Sequence, residues 1–174
     1  MTEYIDIFDE NWNATGEVLE KAEAERQGKW HKAAHIWIVN PRGELLLQLR
    51  GPNKKNHPNM WDISAAGHVS VGETVIEGGI REMYEELGVT ITADQLIPIT
   101  KNNSPSNKHL HSVFLIKLDL PLDAFVFNDH EVAEVKYVPW RTLAKMSEEE
   151  MRGNNILAHQ EFDPLFAYLE KNGL

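Results

Sequence analysis

Apolar side chains recur in short runs along the chain, and turn-forming residues separate these runs. Residues 4–8 alternate apolar and polar side chains, which predicts a strand with one buried face. Longer runs at 29–40 and 44–50 predict two more strands, and the sequence Asn-Pro-Arg-Gly between them predicts a β-hairpin. Similar runs at 109–120 and 134–140 predict later strands. The pattern therefore predicts a sheet assembled from most of the chain.

Other segments favour turns and helices. Residues 11–17 predict a turn because they contain Asn, Thr and Gly, and 19–27 predict a short helix that ends at Gly28. Residues 60–68 predict a short strand that leads directly into a longer helix. From Trp140 to the end, the spacing favours short helices, so the chain reads as an α/β protein.

The most regular helical pattern lies at residues 74–87. Its apolar residues recur at helical spacing and predict a face that packs on a core: Ile76, Ile80, Met83 and Leu87. Thr74 and Glu77 fit a capping box at the first turn, and Gly88 is a typical stop. We therefore expect a helix with defined ends.

The same helix concentrates negative charge on a second face. Glu82, Glu85 and Glu86 are spaced i, i+3 and i+4, so their carboxylates gather together. A divalent cation such as Mg²⁺ or Mn²⁺ would offset their repulsion, since both ions prefer oxygen ligands. The alternative is a solvated acidic face on which Arg81 pairs with Glu77 and Glu85.

Composition excludes several classes of protein. The 174 residues suffice for one domain with a sizeable core, which we expect to span residues 1–174. No cysteine is present, so disulfides and thiolate sites are excluded. The net charge of −10 disfavours non-specific binding to nucleic acids. No apolar run reaches the roughly 18 residues that span a membrane, and the acidic N-terminus does not resemble a signal peptide, so a cytoplasmic protein is expected.

The stretch from Gly67 to Val89 resembles the signature box of the Nudix hydrolase superfamily. Gly67 is followed after five residues by Glu73, and after seven more by Arg-Glu-Met-x-Glu-Glu-x-Gly-Val. The resemblance implies an α/β fold in which a mixed β-sheet is sandwiched between helices, with the box as a loop–helix–loop motif. It also implies metal-dependent cleavage of a diphosphate bond.

The resemblance assigns roles to the box residues of this chain. It implies Mg²⁺ or Mn²⁺ as cofactor, with these ligands: Glu82, Glu85, Glu86 and the backbone carbonyl of Gly67. Arg81 would orient the carboxylates by salt bridges, for which its fork of donors is suited. Glu73 would have a lesser role near the metal. The general base varies in this superfamily, and both Glu82 and Glu131 are candidates here. Glu131 is alternatively a surface loop acid.

A further resemblance, from His31 to Val89, is to the isopentenyl-diphosphate isomerase branch of the superfamily and its hydrolase relatives. It rests on the stretches WHKAAHIWIVN, LLLQLR, NKK, WDIS and AGHVSVGET. It implies that Arg50 and Lys54 hold a substrate diphosphate, although Lys54 is alternatively a solvated loop lysine. His31 and His68 match histidines that bind a metal in the isomerases. A structural role for these two histidines remains the alternative.

Departures from the isomerase pattern favour hydrolysis. The isomerases use a cysteine just before the Gly-His pair, where this chain has Ala66. They also carry acids where this chain has Asn107 and His109. In contrast, Glu82 and Glu85 keep the full acidic box. Isomerase activity is therefore the weaker alternative.

The sequence thus predicts a Mg²⁺- or Mn²⁺-dependent hydrolase of a small molecule that contains a diphosphate. Nucleoside di- or triphosphates, prenyl diphosphates and other organic diphosphates all fit. A non-catalytic diphosphate-binding module is the other alternative, and the intact box argues against it. A second copy of the chain is a candidate partner, because dimerisation is common among such folds. No partner among nucleic acid polymers or membranes is expected.

Overall fold

The computed structural model describes residues 2–128 and 131–174. Its strands, in chain order, are β1 (Tyr4–Phe8), β2 (Ala14–Glu20), β3 (His31–Val39), β4 (Glu44–Arg50), β5 (Trp61–Asp62), β6 (Ala65–His68), β7 (Ile97–Ser104), β8 (His109–Lys117) and β9 (Val132–Pro139). The helices are α1 (Lys21–Gln27), α2 (Val75–Leu87), α3 (Trp140–Leu143), α4 (Glu148–Gly153) and α5 (Phe162–Lys171). Short 3₁₀ turns lie at Ala93–Gln95 and Leu122–Ala124.

Seven strands form a mixed sheet. The path β5-β4-β3-β8-β7 is continuous, β6 pairs with β3, and β9 pairs with β4. β3 runs parallel to β8 over its whole length, from the pair His31–His109 to the pair Val39–Lys117. It runs antiparallel to β6, where Ala33 faces His68. β3 is therefore the central strand to which both flanking strands with histidines are joined.

The predicted hairpin of β3 and β4 forms only at its turn. Val39 and Leu45 are the one aligned pair between the two strands, and β4 then pairs along its whole length with β9. The side chain of Asn40 accepts hydrogen bonds from the backbone N–H groups of Arg42 and Glu44, which closes the turn. Beyond the turn β3 is free to pair with β6 and β8.

The N-terminal segment differs from the sequence prediction. Residues 14–20, predicted as the end of a turn and the start of a helix, form β2, which pairs with β1 in a separate two-stranded sheet. The predicted turn ends before β2, and the side chain of Asp9 closes it by accepting hydrogen bonds from the backbone N–H groups of Asn11 and Asn13. The helix starts only at Lys21 and ends at Gly28 as predicted.

Two apolar clusters lie on opposite faces of the main sheet. One packs α2 on the sheet, and the predicted face of that helix contributes to it with Met83 and Leu87 fully buried. The other includes Trp37 and packs the sheet against α3, α4 and α5. Thr74 and Glu77 form the predicted capping box, and Gly88 closes α2 in the left-handed conformation. These features confirm the mixed sheet between helices. None of the helices in the described residues is long and apolar enough to cross a membrane.

Candidate active site

α2 lies close against the central strand because Gly79 of the helix faces β3. Gly78 and Gly79 are buried, and a Cβ on Gly79 would lie 3.1 Å from Cδ1 of Ile36 and 3.4 Å from Cβ of Ala34. A larger residue at position 79 would push the helix away from β3. Gly79 therefore sets the distance between the acidic helix and the sheet.

Glu82 packs directly on the backbone of Gly67. A Cβ on Gly67 would overlap the carboxylate carbon of Glu82, so only glycine allows this approach. The side chain of Glu82 is 14% exposed. The fold thus brings together Gly67 of β6 and Glu82 of α2, which are two of the predicted metal ligands.

Arg81 is the centre of the ionic contacts around the box. Its guanidinium donates to Glu73 at 3.0 and 3.1 Å, to Glu82 at 2.7 Å and to Glu85 at 2.9 Å. It also donates to the backbone carbonyl of His68 at 2.9 Å. The alternative pairing with Glu77 does not occur, because the carboxylate of Glu77 is used in the helix cap. Arg81 thus links the loop before α2 to three carboxylates.

Glu86 is the most deeply placed carboxylate of the box. It is 4% exposed and accepts hydrogen bonds from the side chain of Gln48 at 3.1 Å and the backbone N–H of Ala66 at 3.0 Å. Glu85, in contrast, is 47% exposed on its side chain. The three carboxylates therefore span a range from the interior to the surface.

The buried carboxylates are costly to ionise. Burial raises the pKa of Glu82 to about 7, although Arg81 opposes the shift. Burial and the neighbouring charge of Glu82 raise the pKa of Glu86 well above its usual range. A site that raises the pKa of two adjacent acids in this way would be stabilised by a bound cation.

The two cations predicted to bind a diphosphate, Arg50 and Lys54, each lie beside a carboxylate. Lys54 forms an ion pair with Glu131, which comes from the loop before β9. Arg50 donates to Asp62 at 2.8 Å and, through two nitrogens, to the backbone carbonyl of Asn56. Lys54 and Glu131 both act electrostatically on Glu86, so this pair lies near the box. Arg50 is held by contacts within the chain.

The predicted histidines His31 and His68 lie beside a third one, His109, for which the sequence predicts no ligand role. One ring nitrogen from each of His31, His68 and His109 lies within 4.8 Å of the others. Nδ1 of His31 contacts the carbonyl of Lys29 at 2.8 Å, and its buried Nε2 has no partner among the described residues. Nε2 of His68 and His109 are 3.4 Å apart. The arrangement is open to a ligand at its centre.

Six of the seven histidines in the part of the chain that the structure describes form a continuous row. Ring centroids follow one another at 4.0 to 6.1 Å in the order His68, His31, His109, His111, His35 and His159. The first five project from β3, β6 and β8 at register positions that share one face of the sheet, opposite α2. The row begins next to the box and ends under the C-terminal segment.

Comparison with known proteins identifies the family. The model of the NUDIX domain matches residues 29–160. The chain belongs to the Nudix family. Its acidic box and its fold are those expected of this family, whose members generally use divalent metals.

Individual relatives agree with the assignment to the Nudix family. Nudix hydrolase 3 of Arabidopsis thaliana is 35% identical over 182 residues, which cover 98% of this chain but only 22% of the plant protein. The chain therefore spans about a fifth of that relative. An isopentenyl-diphosphate Delta-isomerase of Pectobacterium atrosepticum is 30% identical over 79% of this chain and 76% of its own length. A solved structure from Deinococcus radiodurans superimposes with a TM-score of 0.67 at 26% identity, over 87% of this chain and 98% of that one.

Some residues of the site have little signal in the sequence. Gln48 and Asp62 are single polar residues on strands, and their roles follow only from contacts with Glu86 and Arg50. His109 and His111 alternate on one strand, and His31 and His35 on another, which predicts a shared face within each strand. That β3 and β8 are neighbours depends on the topology of the sheet.

Proposed function

We propose that the protein hydrolyses a diphosphate bond in a small organic or nucleoside diphosphate, with Mg²⁺ or Mn²⁺ as cofactor. The observation that carries this proposal is the arrangement of carboxylates at the end of β6. Glu82 packs on Gly67, Glu86 accepts a hydrogen bond from the backbone of the adjacent Ala66, and Arg81 joins Glu82 to Glu85. Such a group of carboxylates suits hard divalent cations, which take oxygen ligands.

The residues present fit a divalent ion. Both described hydrogen bonds of Glu86 are accepted by Oε2, and burial together with the nearby charge of Glu82 makes Glu86 costly to ionise. We assign Glu82, Glu85, Glu86 and the carbonyl of Gly67 as ligands, with Glu73 supporting them through Arg81. When bound, the ion supplies charge neutralisation at phosphoryl oxygens and lowers the pKa of a bound water.

Arg50, at the end of β4, and Lys54, in the loop that follows, would hold the diphosphate. Arg50 presents a guanidinium fixed by Asp62, and two of its five N–H groups remain after the described bonds are counted. Lys54 would exchange its ion pair with Glu131 for a phosphate oxygen. That exchange would separate Lys54 from Glu131, which is one of the two candidate bases; Glu82 is the other. We assign His31 and His68 to the substrate or to the metal that accompanies it.

Isomerase activity remains the second candidate because of the histidine group and the isomerase relatives. The isomerases use a cysteine at the position of Ala66, which lies in β6 opposite His35 of β3, to carry out proton transfer with an unactivated alkene. The methyl group of Ala66 cannot take part in proton transfer. The third candidate, a non-catalytic binding module, would bind a diphosphate without turnover.

One assay series separates these candidates. Release of phosphate or a monophosphate is measured with Mg²⁺ across nucleotides, dinucleotides, sugar nucleotides and prenyl diphosphates, for the wild type and Glu86→Gln. Glu149→Gln, an exposed residue of α4, is the matched control. We expect turnover that Glu86→Gln abolishes and Glu149→Gln preserves. No turnover of any substrate contradicts the proposal, and conversion of isopentenyl diphosphate to its allylic isomer favours the second candidate.

A further inference from the structure

A second group of ligand-type side chains lies at the far end of the histidine row. His35 of β3 meets His159 and Glu161, which precede α5. Nδ1 of His35 is 2.8 Å from Oε1 of Glu161, and Nδ1 of His159 is 3.8 Å from the same oxygen. One ligand atom from each residue lies within 4.8 Å of the other two. Two imidazoles and one carboxylate thus converge on one point.

Asp62 fixes the tautomer and orientation of His159. Its Oδ1 is 2.8 Å from Nε2 of His159, and its other oxygen accepts from Arg50 at 2.8 Å. A proton on Nε2 is therefore donated to a carboxylate, and Nδ1 faces Glu161, where it would bind a metal in exchange for any proton that it carries. Histidines that bind metals characteristically donate their other ring nitrogen to a carboxylate in this way.

The group is buried between the sheet and the C-terminal segment. Glu161 is 1% exposed and His35 is 8% exposed. The rings of Trp37 and Phe162 lie 5.8 and 5.6 Å from that of His159. In such an apolar place an unpaired carboxylate is costly. Arg50 pairs with Asp62, and a protonated His159 would pair with both Asp62 and Glu161. A bound cation would supply the same positive charge when the imidazoles are neutral.

We propose that His35, His159 and Glu161 form a binding site for a transition-metal ion of the Zn²⁺ class, separate from the acidic box of α2. Ligand atoms around a tetrahedral zinc lie about 3.3 Å apart, given bonds of about 2.0 to 2.1 Å. The two N–O separations of 2.8 and 3.8 Å bracket this value, and the third separation, between the two imidazole nitrogens, is within 4.8 Å, so side-chain shifts of about an ångström would create the site. Water would complete the coordination.

The ligand types distinguish this site from the box. Two imidazole nitrogens favour Zn²⁺, Co²⁺ or Ni²⁺, whereas Mg²⁺ prefers oxygen ligands. A bound ion would join β3 to the segment between α4 and α5, in addition to the bridge of Trp61 with Ile156 and the bond of His159 to Asp62. It would also fix Asp62 through His159, and Asp62 contacts Arg50. The site would thus tie the C-terminal segment to the sheet.

Zinc binding to variants of the full chain tests the proposal. Metal-free protein is titrated with Zn²⁺ in excess Mg²⁺, which occupies the box, against a chromophoric zinc chelator; bound zinc and the shift in Tm are recorded. The test variants are His159→Gln and Glu161→Gln. His109→Gln removes a member of the other histidine group, and His57→Gln replaces an exposed histidine. We expect both test variants to bind one Zn²⁺ fewer than the wild type and to lose the accompanying rise in Tm. His57→Gln should match the wild type, and His109→Gln should retain the site at Glu161.

Equal zinc stoichiometry in the wild type and both test variants would overturn the proposal. Because either test variant could fail to fold, crystals of the wild type soaked in Zn²⁺ provide an independent measurement. An anomalous difference peak at the zinc edge is expected about 2 Å from Nδ1 of His159 and from the carboxylate of Glu161. Absence of that peak at saturating Zn²⁺ contradicts the site.

Discussion

The side chain of Glu82 occupies the space that a Cβ on Gly67 would fill. This contact brings a carboxylate of α2 onto the backbone of β6. The backbone carbonyl of Gly67 and the carboxylates of the helix could therefore bind the same cation. The glycine of the box is therefore needed for packing at the site, in addition to any role of its carbonyl.

Gly67→Ala tests this contact. The new methyl group would displace Glu82, and we expect kcat to fall by about 10- to 100-fold, with a stability loss of about 1 to 3 kcal/mol from overpacking. Gly153→Ala is the matched control, since a Cβ there meets nothing within 4 Å. Steady-state kinetics and denaturant unfolding measure both effects. Unchanged kcat in Gly67→Ala would contradict the packing role.

Arg81→Lys tests the role of the guanidinium as a fork. Arg81 bonds four groups at once, whereas a lysine presents one ammonium and cannot keep that geometry. We expect kcat/KM to fall by at least about tenfold, which corresponds to roughly 1.4 kcal/mol. Arg152→Lys, which changes an exposed residue of α4, should leave the kinetics unchanged. Equal kinetics for the two variants would count against the predicted role.

Stability of the metal-free protein should depend on pH through Glu82. Its pKa is raised from 4.5 to about 7 by burial, so between these values the unfolded chain has lost a proton that the folded chain keeps. Stability therefore falls as pH rises from 4.5 to 7. We expect Glu82→Gln to change stability little at pH 5 and to stabilise the metal-free protein by on the order of 3 kcal/mol at pH 8. Urea unfolding in a chelator measures this, and equal effects at both pH values would contradict it.

The ion pair of Lys54 with Glu131 predicts a specific effect on substrate binding. Loss of a charge-assisted bond to phosphate costs about 1.5 to 3 kcal/mol, so Lys54→Gln should raise KM by about tenfold or more. The neighbouring Lys55→Gln is the control, because Lys55 is exposed. If both variants raise KM equally, the effect reflects the general charge of the loop.

The sequence sufficed for the parts of the site that depend on local spacing. The helix 74–87, its capping box and its carboxylate face follow from the 3.6-residue period and were confirmed. The strand β2 was missed because its residues, with Asn, Thr and Gly before them, have a weak strand pattern, and pairing with β1 decides their conformation.

Long-range contacts account for what could not be predicted. The histidine row depends on β3 being parallel to β8 and antiparallel to β6, which spacing along the chain does not determine. Likewise, Glu161 lies 126 residues from His35, and no local pattern joins them. The roles predicted for Arg50, Lys54 and Glu131 remain predictions; Lys54→Gln addresses that of Lys54.

The most direct test of the central claim is hydrolysis in ¹⁸O-labelled water with Mg²⁺, using a substrate that the release assay identifies. Mass spectrometry of the products from the wild type and Glu86→Gln shows whether water attacks phosphorus and whether the acidic helix is required. We predict one ¹⁸O atom in a phosphate product of the wild type and no product formation above background in Glu86→Gln. Unlabelled phosphate products, or equal turnover by Glu86→Gln, would contradict the account.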